Sequence, residues 1–357
     1  MLIFIVLLLV PMLMQHAVIG NKCVDFEKKN KNALLFFFFF LVFLVMFRHE
    51  SVGTDTRNYI RFFSNYSVMS WKAISKSAVE LGFAYFNKVV SLFSDDPQFF
   101  LAVTVIVTVA MIYPTYRRLC VDTSLTIVLF CTMSTFSMMF SGIRQMLAIG
   151  IGFIAYEFTR KNKLILYIIC VAIAITFHTS AVMLAVMYPL YHAKITKKWL
   201  FAVVPALVAV FAFNRPIFSY LSFLIERYTS YKGGITQTGA YTMLILFAIF
   251  AVFAFLIPDE ALVDDETVGL RNFLLLALVV QMFAPLHHLA MRMSYYYIIF
   301  IPLLLPKVIA AKSEKWQQVA VVARHVMVAF FFGYFFINSA GGGDLDVFPY
   351  HFYWENI

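Results

Sequence analysis

Charged residues are scarce in this sequence, and that scarcity excludes an ordinary soluble protein. Asp, Glu, Lys and Arg make up 13% of the 357 residues, whereas hydrophobic residues make up 62%. A soluble chain of this length carries roughly twice that share of charge. The apolar runs are too long and continuous for barrel strands, and only helices or closed barrels satisfy their backbone in lipid. The sequence therefore predicts an all-α polytopic membrane protein.

Several familiar chemical motifs are also missing. The four cysteines, Cys23, Cys120, Cys131 and Cys170, form no CxxC pair, which gives no support to a disulfide framework or a zinc site. The chain has no HExxH, GxSxG or P-loop motif. The apolar spans are poor in midplane carboxylates, which a proton-coupled pump or ion transporter would need. We predict neither a metal nor a cofactor.

Apolar runs predict about twelve transmembrane helices in a single membrane domain, 1–357. The predicted spans are 2–20, 33–47, 98–116, 124–141, 144–159, 164–177, 180–193, 199–213, 241–257, 272–289, 294–311 and 319–337. They leave two long outer loops, 48–97 and 214–240, and an outer C-terminal tail, 338–357. Apolar residues recur at helical spacing in 71–93 and 217–225, which predicts interfacial helices. Both loops are candidate lids over a site.

Lys and Arg set the predicted orientation. They concentrate in alternate loops, at 22–31, 117–118, 160–163, 194–198 and 307–315. Since cytoplasmic loops are enriched in these residues, both termini are predicted to face outward, with 2–20 retained as the first span. The acidic loop 258–271 breaks the pattern, but acidic residues contribute little to orientation. The net charge of +9 reports this bias, so we predict no nucleic acid partner.

The sequence changes character abruptly where the second span ends. Arg48, Glu50, Asp55 and Arg57 follow a wall of apolar residues, with Gly53-Thr54 supplying a tight bend and a cap-like hydroxyl. One interpretation is an ordinary juxtamembrane loop held by a structural pair between Arg48 and Asp55. The other is a functional site, in which Asp55 lies between Arg48 and Arg57 and serves as an orienting partner.

Arg144 lies in a predicted hairpin, where Ser141 is expected to cap the next helix. A cation at a helix N-terminus is locally unfavourable. It becomes useful if the helix end and a bidentate guanidinium hold an anion together. The alternative is an arginine that snorkels to the lipid headgroups.

His178 and Arg292 occupy similar positions beside other spans. His178 precedes the capping residues Thr179 and Ser180, and it is either a hydrogen-bonded structural residue or a proton acceptor near neutral pH. Arg292 precedes Tyr295-Tyr-Tyr297 and reads as an anion clamp beside sugar-stacking rings, or as an interfacial belt. The predicted topology places Arg48, Asp55, Arg144, His178 and Arg292 at the outer face, although none of them was used to set the orientation.

These motifs, in this order, resemble the EpsG family of membrane proteins, which is related to Wzy-type polysaccharide polymerases. The resemblance rests on Arg48-x4-Gly53-Thr-Asp55-x3-Tyr59, Arg144-Gln145, Phe177-His178-x-Ser180-Ala181 and Arg292-x4-Tyr297, and the ending Phe348-Pro-Tyr350-His-Phe-Tyr353-Trp354 also fits. It implies polymerisation of oligosaccharide repeat units carried on undecaprenyl diphosphate, for O-antigen, capsule or exopolysaccharide. The implied location is the outer face of a bacterial plasma membrane. Chain-length regulators and flippases are the implied protein partners.

Given the activity that this resemblance implies, the hypothesis is a metal-independent, inverting glycosyl transfer. Arg48, Arg144 and Arg292 would stabilise the leaving diphosphate, and His178 or Asp55 would act as the base, with His178 favoured. Gln145, Tyr59 and Tyr297 are further candidate substrate contacts. Two alternatives stay open at this point. One is a flippase or transporter of lipid-linked oligosaccharide, and the other is a glycan ligase with nearly identical site chemistry.

Overall fold

The computed structural model describes residues 2–16, 26–195, 197–224, 238–257, 264–311 and 314–356, and most of these residues are helical. The helices are α1 Leu2–His16, α2 Phe26–Met46, α3 Thr56–Val68, α4 Trp71–Ile74, α5 Leu81–Ser91, α6 Pro97–Leu119, α7 Thr123–Thr132, α8 Thr135–Ser141, α9 Ile143–Arg160, α10 Leu164–Phe177, α11 Met187–His192, α12 Lys197–Ala212, α13 Asn214–Leu224, α14 Thr238–Leu256, α15 Asp265–Gln281, α16 His288–Ile298, α17 Ile301–Ile309 and α18 Glu314–Ala340. A 3₁₀ helix covers Thr179–Val186. Within these ranges no strand forms, and the only extended pairing is an isolated bridge between Arg48 and Phe352.

The helices are those of a membrane protein. In the described ranges, α2, α6 and 317–340 of α18 are long and apolar enough to cross a bilayer. Up to six helices qualify if each of three bent pairs counts as one span: α7 with α8, α12 with α13, and α16 with α17, bent by 56°, 73° and 47°. The figure of twelve transmembrane helices, and the placement of the loop helices at the interface, stay predictions.

Three predicted spans are interrupted for local reasons. Span 124–141 breaks at Ser134, whose φ of 58° is left-handed and cannot continue a helix. Span 294–311 breaks near Pro302, which lacks the N–H that a continuous helix needs. Span 180–193 forms the 3₁₀ helix followed by six residues of α11. Here the hydroxyl of Tyr167 donates to the carbonyls of Leu184 and Ala185, at 2.6 and 2.8 Å.

The chain forms two compact units. The first comprises Met1–Ala185 with Glu314–Ile357, and the second comprises Val186–Ser313. In the first unit α9 packs against α10 and α6, α2 packs against α1 and α6, α18 packs against α7, and α3 packs against α5. In the second unit α15 packs against α11, α14, α16 and α17.

The segment 48–97, which the sequence predicts as an outer loop, is predominantly helical. The predicted amphipathic stretch 71–93 contains α4 and α5, and α3 begins directly after the Arg48–Asp55 motif, where the sequence predicted no helix. Buried rings of α3, α5 and α6 form a shared core: Tyr59, Phe63, Phe83 and Phe100. In loop 214–240, α13 covers most of the predicted stretch 217–225, while 225–237 lie outside the described residues. The acidic residues of 258–263 also lie outside them.

Candidate functional site

The Arg48–Asp55 motif is held by the C-terminal tail. The backbone N–H groups of His49, Gly53 and Thr54 donate to the carbonyls of His351, Asp346 and Leu345, at 2.9, 2.8 and 3.0 Å. Gly53 has a φ of +91°, and a Cβ at this position would lie 2.9 Å from the carbonyl oxygen of Phe140. A residue with a side chain would therefore both strain the turn and push the motif away from α8.

Arg48, the first residue of this motif, is fully buried. Its Nη1 donates to the carbonyl of Val45 at 2.5 Å, and its Nε donates to the Thr56 hydroxyl at 3.4 Å, so the guanidinium is not paired with the Asp55 carboxylate. Nη2 has no hydrogen-bond partner. Arg48 also lines a small cavity together with residues of α2, α6, α8 and α9. In this arrangement Arg48 braces the loop and is not exposed to a diphosphate. Arg57 instead lies 3.5 Å from Glu50, and both side chains are exposed.

The motif also contacts the hairpin that carries Arg144. The N–H of Asp55 donates to the Ser141 hydroxyl at 3.2 Å, and the Thr56 hydroxyl donates to the Phe140 carbonyl at 3.3 Å. The expectation that Ser141 caps α9 is wrong, because the N-cap is Gly142 with no side-chain cap. Ser141 accepts from the neighbouring loop instead, which ties α3 to the start of α9.

Four side chains meet where α9 begins and α10 ends, and we refer to them as the Glu80 cluster: Glu80, Arg144, His178 and Thr179. Nη1 of Arg144 donates to Oε2 of Glu80 at 2.6 Å. Oε1 of Glu80 accepts from the backbone N–H and the hydroxyl of Thr179, at 3.2 and 3.0 Å. Nδ1 of His178 lies 3.3 Å from the same oxygen, close in distance but not aligned as a hydrogen bond.

Gly82 explains how α5 brings Glu80 to this position. A Cβ on Gly82 would lie 2.2 Å from the hydroxyl of Thr176 and 2.9 Å from its carbonyl carbon and oxygen. The start of α5 therefore touches the backbone at the end of α10, two residues before His178. Only glycine permits this approach, so the local sequence Glu80-Leu-Gly82 sets the distance between Glu80 and His178.

The cluster keeps Glu80 ionised. Partial burial by itself would raise the pKa of Glu80, but nearby His178, the charge of Arg144 and the backbone N–H of Thr179 hold this pKa well below its usual range. The side chains of Glu80, Arg144 and His178 are 12%, 25% and 21% exposed, so each is partly shielded yet reachable from solvent.

Aromatic rings enclose the Arg144 guanidinium. Its Cζ lies 5.9 Å from the ring centroids of Tyr59, Phe62 and Phe83. Such contacts favour a cation and limit its motion. Gln145, the next residue on α9, is buried in the same unit. Of the predicted site residues, the structure thus brings together Arg144, His178 and Tyr59. Asp55 lies nearby, because its backbone N–H donates to the Ser141 hydroxyl in the hairpin that carries Arg144.

Arg292 and Tyr297 lie on α16 of the second unit. Arg292 is half-buried. Tyr297 is fully buried and packs edge-on against Phe273, with ring centroids 5.4 Å apart. In this structure Tyr297 is part of the core of the second unit and offers no face to a sugar. No group of three metal-ligating side chains occurs among the described residues.

Sequence reasoning missed Glu80. This residue lies inside 71–93, where the helical spacing of apolar residues dominated the interpretation, and an acid just before a helix is most simply explained as a cap. The carboxylate does not cap α5, because its side chain makes no hydrogen bond to that helix end. No signal in the sequence connects Glu80 to Arg144, which lies 64 residues further along the chain.

Comparison with known proteins supports the resemblance drawn from the motifs. The sequence profile of the EpsG family matches residues 31–352, which includes the motifs that carried the resemblance except the last two residues of the C-terminal one, Tyr353 and Trp354. Neither the curated proteins nor the solved structures gave a significant match. The matched region covers most of the chain, and the chain is therefore a member of the EpsG family.

Proposed function

We propose that this protein is a polysaccharide polymerase that transfers a growing glycan from undecaprenyl diphosphate to the terminal sugar of a second lipid-linked repeat unit. EpsG family membership is compatible with this role. The observation that carries the proposal is the Glu80 cluster. Arg144 and His178 lie 34 residues apart in the sequence, yet both contact one carboxylate, which puts an anion-binding cation beside a proton acceptor.

The reaction is written as an inverting displacement. The acceptor hydroxyl attacks the anomeric carbon, the bond from that carbon to the diphosphate oxygen breaks, and the electron pair leaves with the diphosphate. Arg144 is the group in the cluster suited to this charge, because a guanidinium makes charge-assisted hydrogen bonds to phosphate oxygens. The stabilisation needs no metal ion.

We assign His178 as the base that receives the proton of the acceptor hydroxyl. The Glu80 carboxylate, 3.3 Å from Nδ1, electrostatically favours a proton on that nitrogen. The lone pair is then on Nε2, where it can act as the base. Asp55 is the competing base and lies beside the same hairpin, through the Ser141 hydroxyl. Arg48 supports the loop through its contacts with Val45 and Thr56, and the role of Arg292 stays a prediction from the sequence.

The proposed setting is the outer face of a bacterial plasma membrane. It follows from the Lys and Arg bias of the predicted cytoplasmic loops. The Glu80 cluster is built from the predicted outer loop 48–97 and from the predicted outer ends of α9 and α10, which keeps the proposed site on one side of the bilayer. Chain-length regulators and flippases are proposed as protein partners.

The test is polymerisation by the purified full chain in lipid nanodiscs. Incubation with a lipid-linked repeat unit should give a ladder of products on a gel. His178→Ala should insert and bind the lipid-linked substrate normally, with turnover lower by roughly two to four orders of magnitude. His325→Ala is the matched control, since His325 lies on α18 and contacts its own helix at the Val321 carbonyl.

Two results would contradict the proposal in different ways. A wild type that binds the substrate but forms no new sugar–sugar bond would favour transport of the lipid-linked glycan. Normal turnover by His178→Ala would make this histidine structural, and Asp55 would become the leading base.

A further inference from the structure

The donors of the Glu80 cluster all point at the same carboxylate. Arg144 binds one oxygen, and the N–H and hydroxyl of Thr179 bind the other, with the His178 ring beside it. These donors come from the start of α9 and from the junction between α10 and the 3₁₀ helix. A guanidinium, a backbone N–H and a hydroxyl that converge in this way form an anion site.

Glu80 occupies the anion site without belonging to the helices that form it. Its own backbone precedes α5, and its carboxylate turns away from the free N–H groups of that helix. The segment between α4 and α5 is anchored separately, through the contact of the Tyr66 hydroxyl with Ser77 at 2.6 Å. Rotation of the Glu80 side chain can therefore vacate the site while α5 stays in place.

Arg144 has donor capacity that Glu80 does not use. Its Nε is buried and makes no hydrogen bond, while Nη1 is taken by the carboxylate. A single carboxylate oxygen on a guanidinium leaves its fork geometry incomplete. A diphosphate offers more acceptor oxygens and more negative charge than a carboxylate, so it matches these donors better.

We propose that Glu80 is a resident counter-ion that the diphosphate of the substrate displaces from Arg144 and Thr179. This inference rests on the proposed function and adds a step at the same site: the diphosphate must displace Glu80 before it can bind. We refer to this displacement as the gate. In the resting protein Glu80 neutralises Arg144, which keeps the buried cation paired and excludes weaker anions. The substrate must compete with this internal ligand, and the released carboxylate stays beside His178, the residue that gains a proton in the reaction.

Binding measurements on the full chain in nanodiscs test the gate. The probes are inorganic pyrophosphate and a polyprenyl diphosphate, titrated by calorimetry. Glu80→Gln should bind both about 10-fold more tightly than the wild type or better, because the competent state no longer has to expel a charge. Arg144→Gln should bind both at least about 10-fold more weakly. Glu50→Gln is the matched control and should leave both affinities unchanged, since Glu50 lies in the same loop but pairs with Arg57.

A second variant covers the case in which Glu80→Gln fails to fold with Arg144 unpaired. Glu80→Asp keeps the charge but shortens the side chain by one methylene, so it should bind both probes more tightly than the wild type and less tightly than Glu80→Gln. If Glu80→Gln folds and binds the probes no more tightly than the wild type, the inference is overturned. If only Glu80→Asp folds, the same result with Glu80→Asp overturns it. The product ladder would still test the proposed function independently.

The two probes separate the sources of the diphosphate. Tighter binding of the polyprenyl diphosphate, with or without the inorganic ion, supports the gate and assigns it to the lipid-borne group. Tighter binding of inorganic pyrophosphate alone overturns the inference as stated and assigns the site to a free ligand. If no variant binds either probe, the cluster is not an anion site and the gate is excluded.

Discussion

Replacing Gly82 with alanine should separate the two halves of the Glu80 cluster. The added Cβ would lie 2.9 Å from the carbonyl carbon and oxygen of Thr176, whereas ordinary contact begins at 3.4 Å, so 3.4 minus 2.9 leaves 0.5 Å that the backbone must supply. The Thr176 hydroxyl, at 2.2 Å, can rotate away, but the carbonyl cannot. The start of α5, and with it Glu80, must therefore shift away from His178.

Two opposing effects set the stability of this variant. Alanine is favoured over glycine in a helix by up to about 1 kcal/mol. Overpacking against a backbone atom costs about 1–3 kcal/mol. We expect a net loss of about 0–3 kcal/mol, which leaves a folded protein. Turnover should fall more steeply, by about 10-fold, because a misplacement of about 1 Å in a catalytic site can cost about 100-fold and this shift is about half as large.

Gly333→Ala is the matched control. It makes the same change within α18, where a Cβ meets nothing within 4 Å. Thermal melting in nanodiscs should show Gly333→Ala at least as stable as the wild type, with a normal product ladder. If Gly82→Ala also keeps wild-type turnover, the spacing of α5 and α10 does not control the site, and the role assigned to the Glu80 cluster is wrong.

Three further predictions concern charge and topology. Arg144→Lys should lower turnover by about 30- to 1000-fold, because a point charge cannot reproduce the guanidinium fork. The control variant Arg57→Lys should have little effect. Equal rates for the two variants would remove Arg144 from the mechanism. Activity should survive EDTA, since arginine rather than a divalent cation stabilises the leaving diphosphate; loss with EDTA and recovery with magnesium would refute this. In a Cys-free background, cysteine at Ser67 should react with an impermeant thiol reagent from outside and cysteine at Lys161 should not; the reverse pattern would move the site to the cytoplasm.

The composition and the motifs of the sequence were sufficient to predict the fold class and the family. The scarcity of charge predicted an all-helical membrane protein, and the ordered motifs predicted the family, which the family profile confirms. Helix interruptions were harder to predict because their causes are local or tertiary. In the predicted span 180–193, the Tyr167 hydroxyl donates to two backbone carbonyls, those of Leu184 and Ala185. The apolar pattern of the sequence does not indicate that contact.

The candidate site was predicted in part, for a similar reason. The motifs identified Arg144 and His178, which the structure places on one carboxylate. Glu80 was missed because its role depends on a close approach of two helices at Gly82. The burial of Arg48 depends on the C-terminal tail, whose pairing with the motif spans roughly 300 residues of chain, such as the 292 between Thr54 and Asp346. Contacts at such separations arise from the assembled fold, whereas the motifs report only which residues carry chemistry.

The central claim is that the Glu80 cluster supports glycosyl transfer with a diphosphate as the leaving group. The most direct measurement follows a lipid-linked repeat unit on the purified protein in nanodiscs, and counts the undecaprenyl diphosphate released against the sugar–sugar bonds formed. The account predicts one diphosphate lipid released per bond, with both products reduced together in Arg144→Gln and His178→Ala. Diphosphate release without new bonds, or bond formation that persists in both variants, would contradict it.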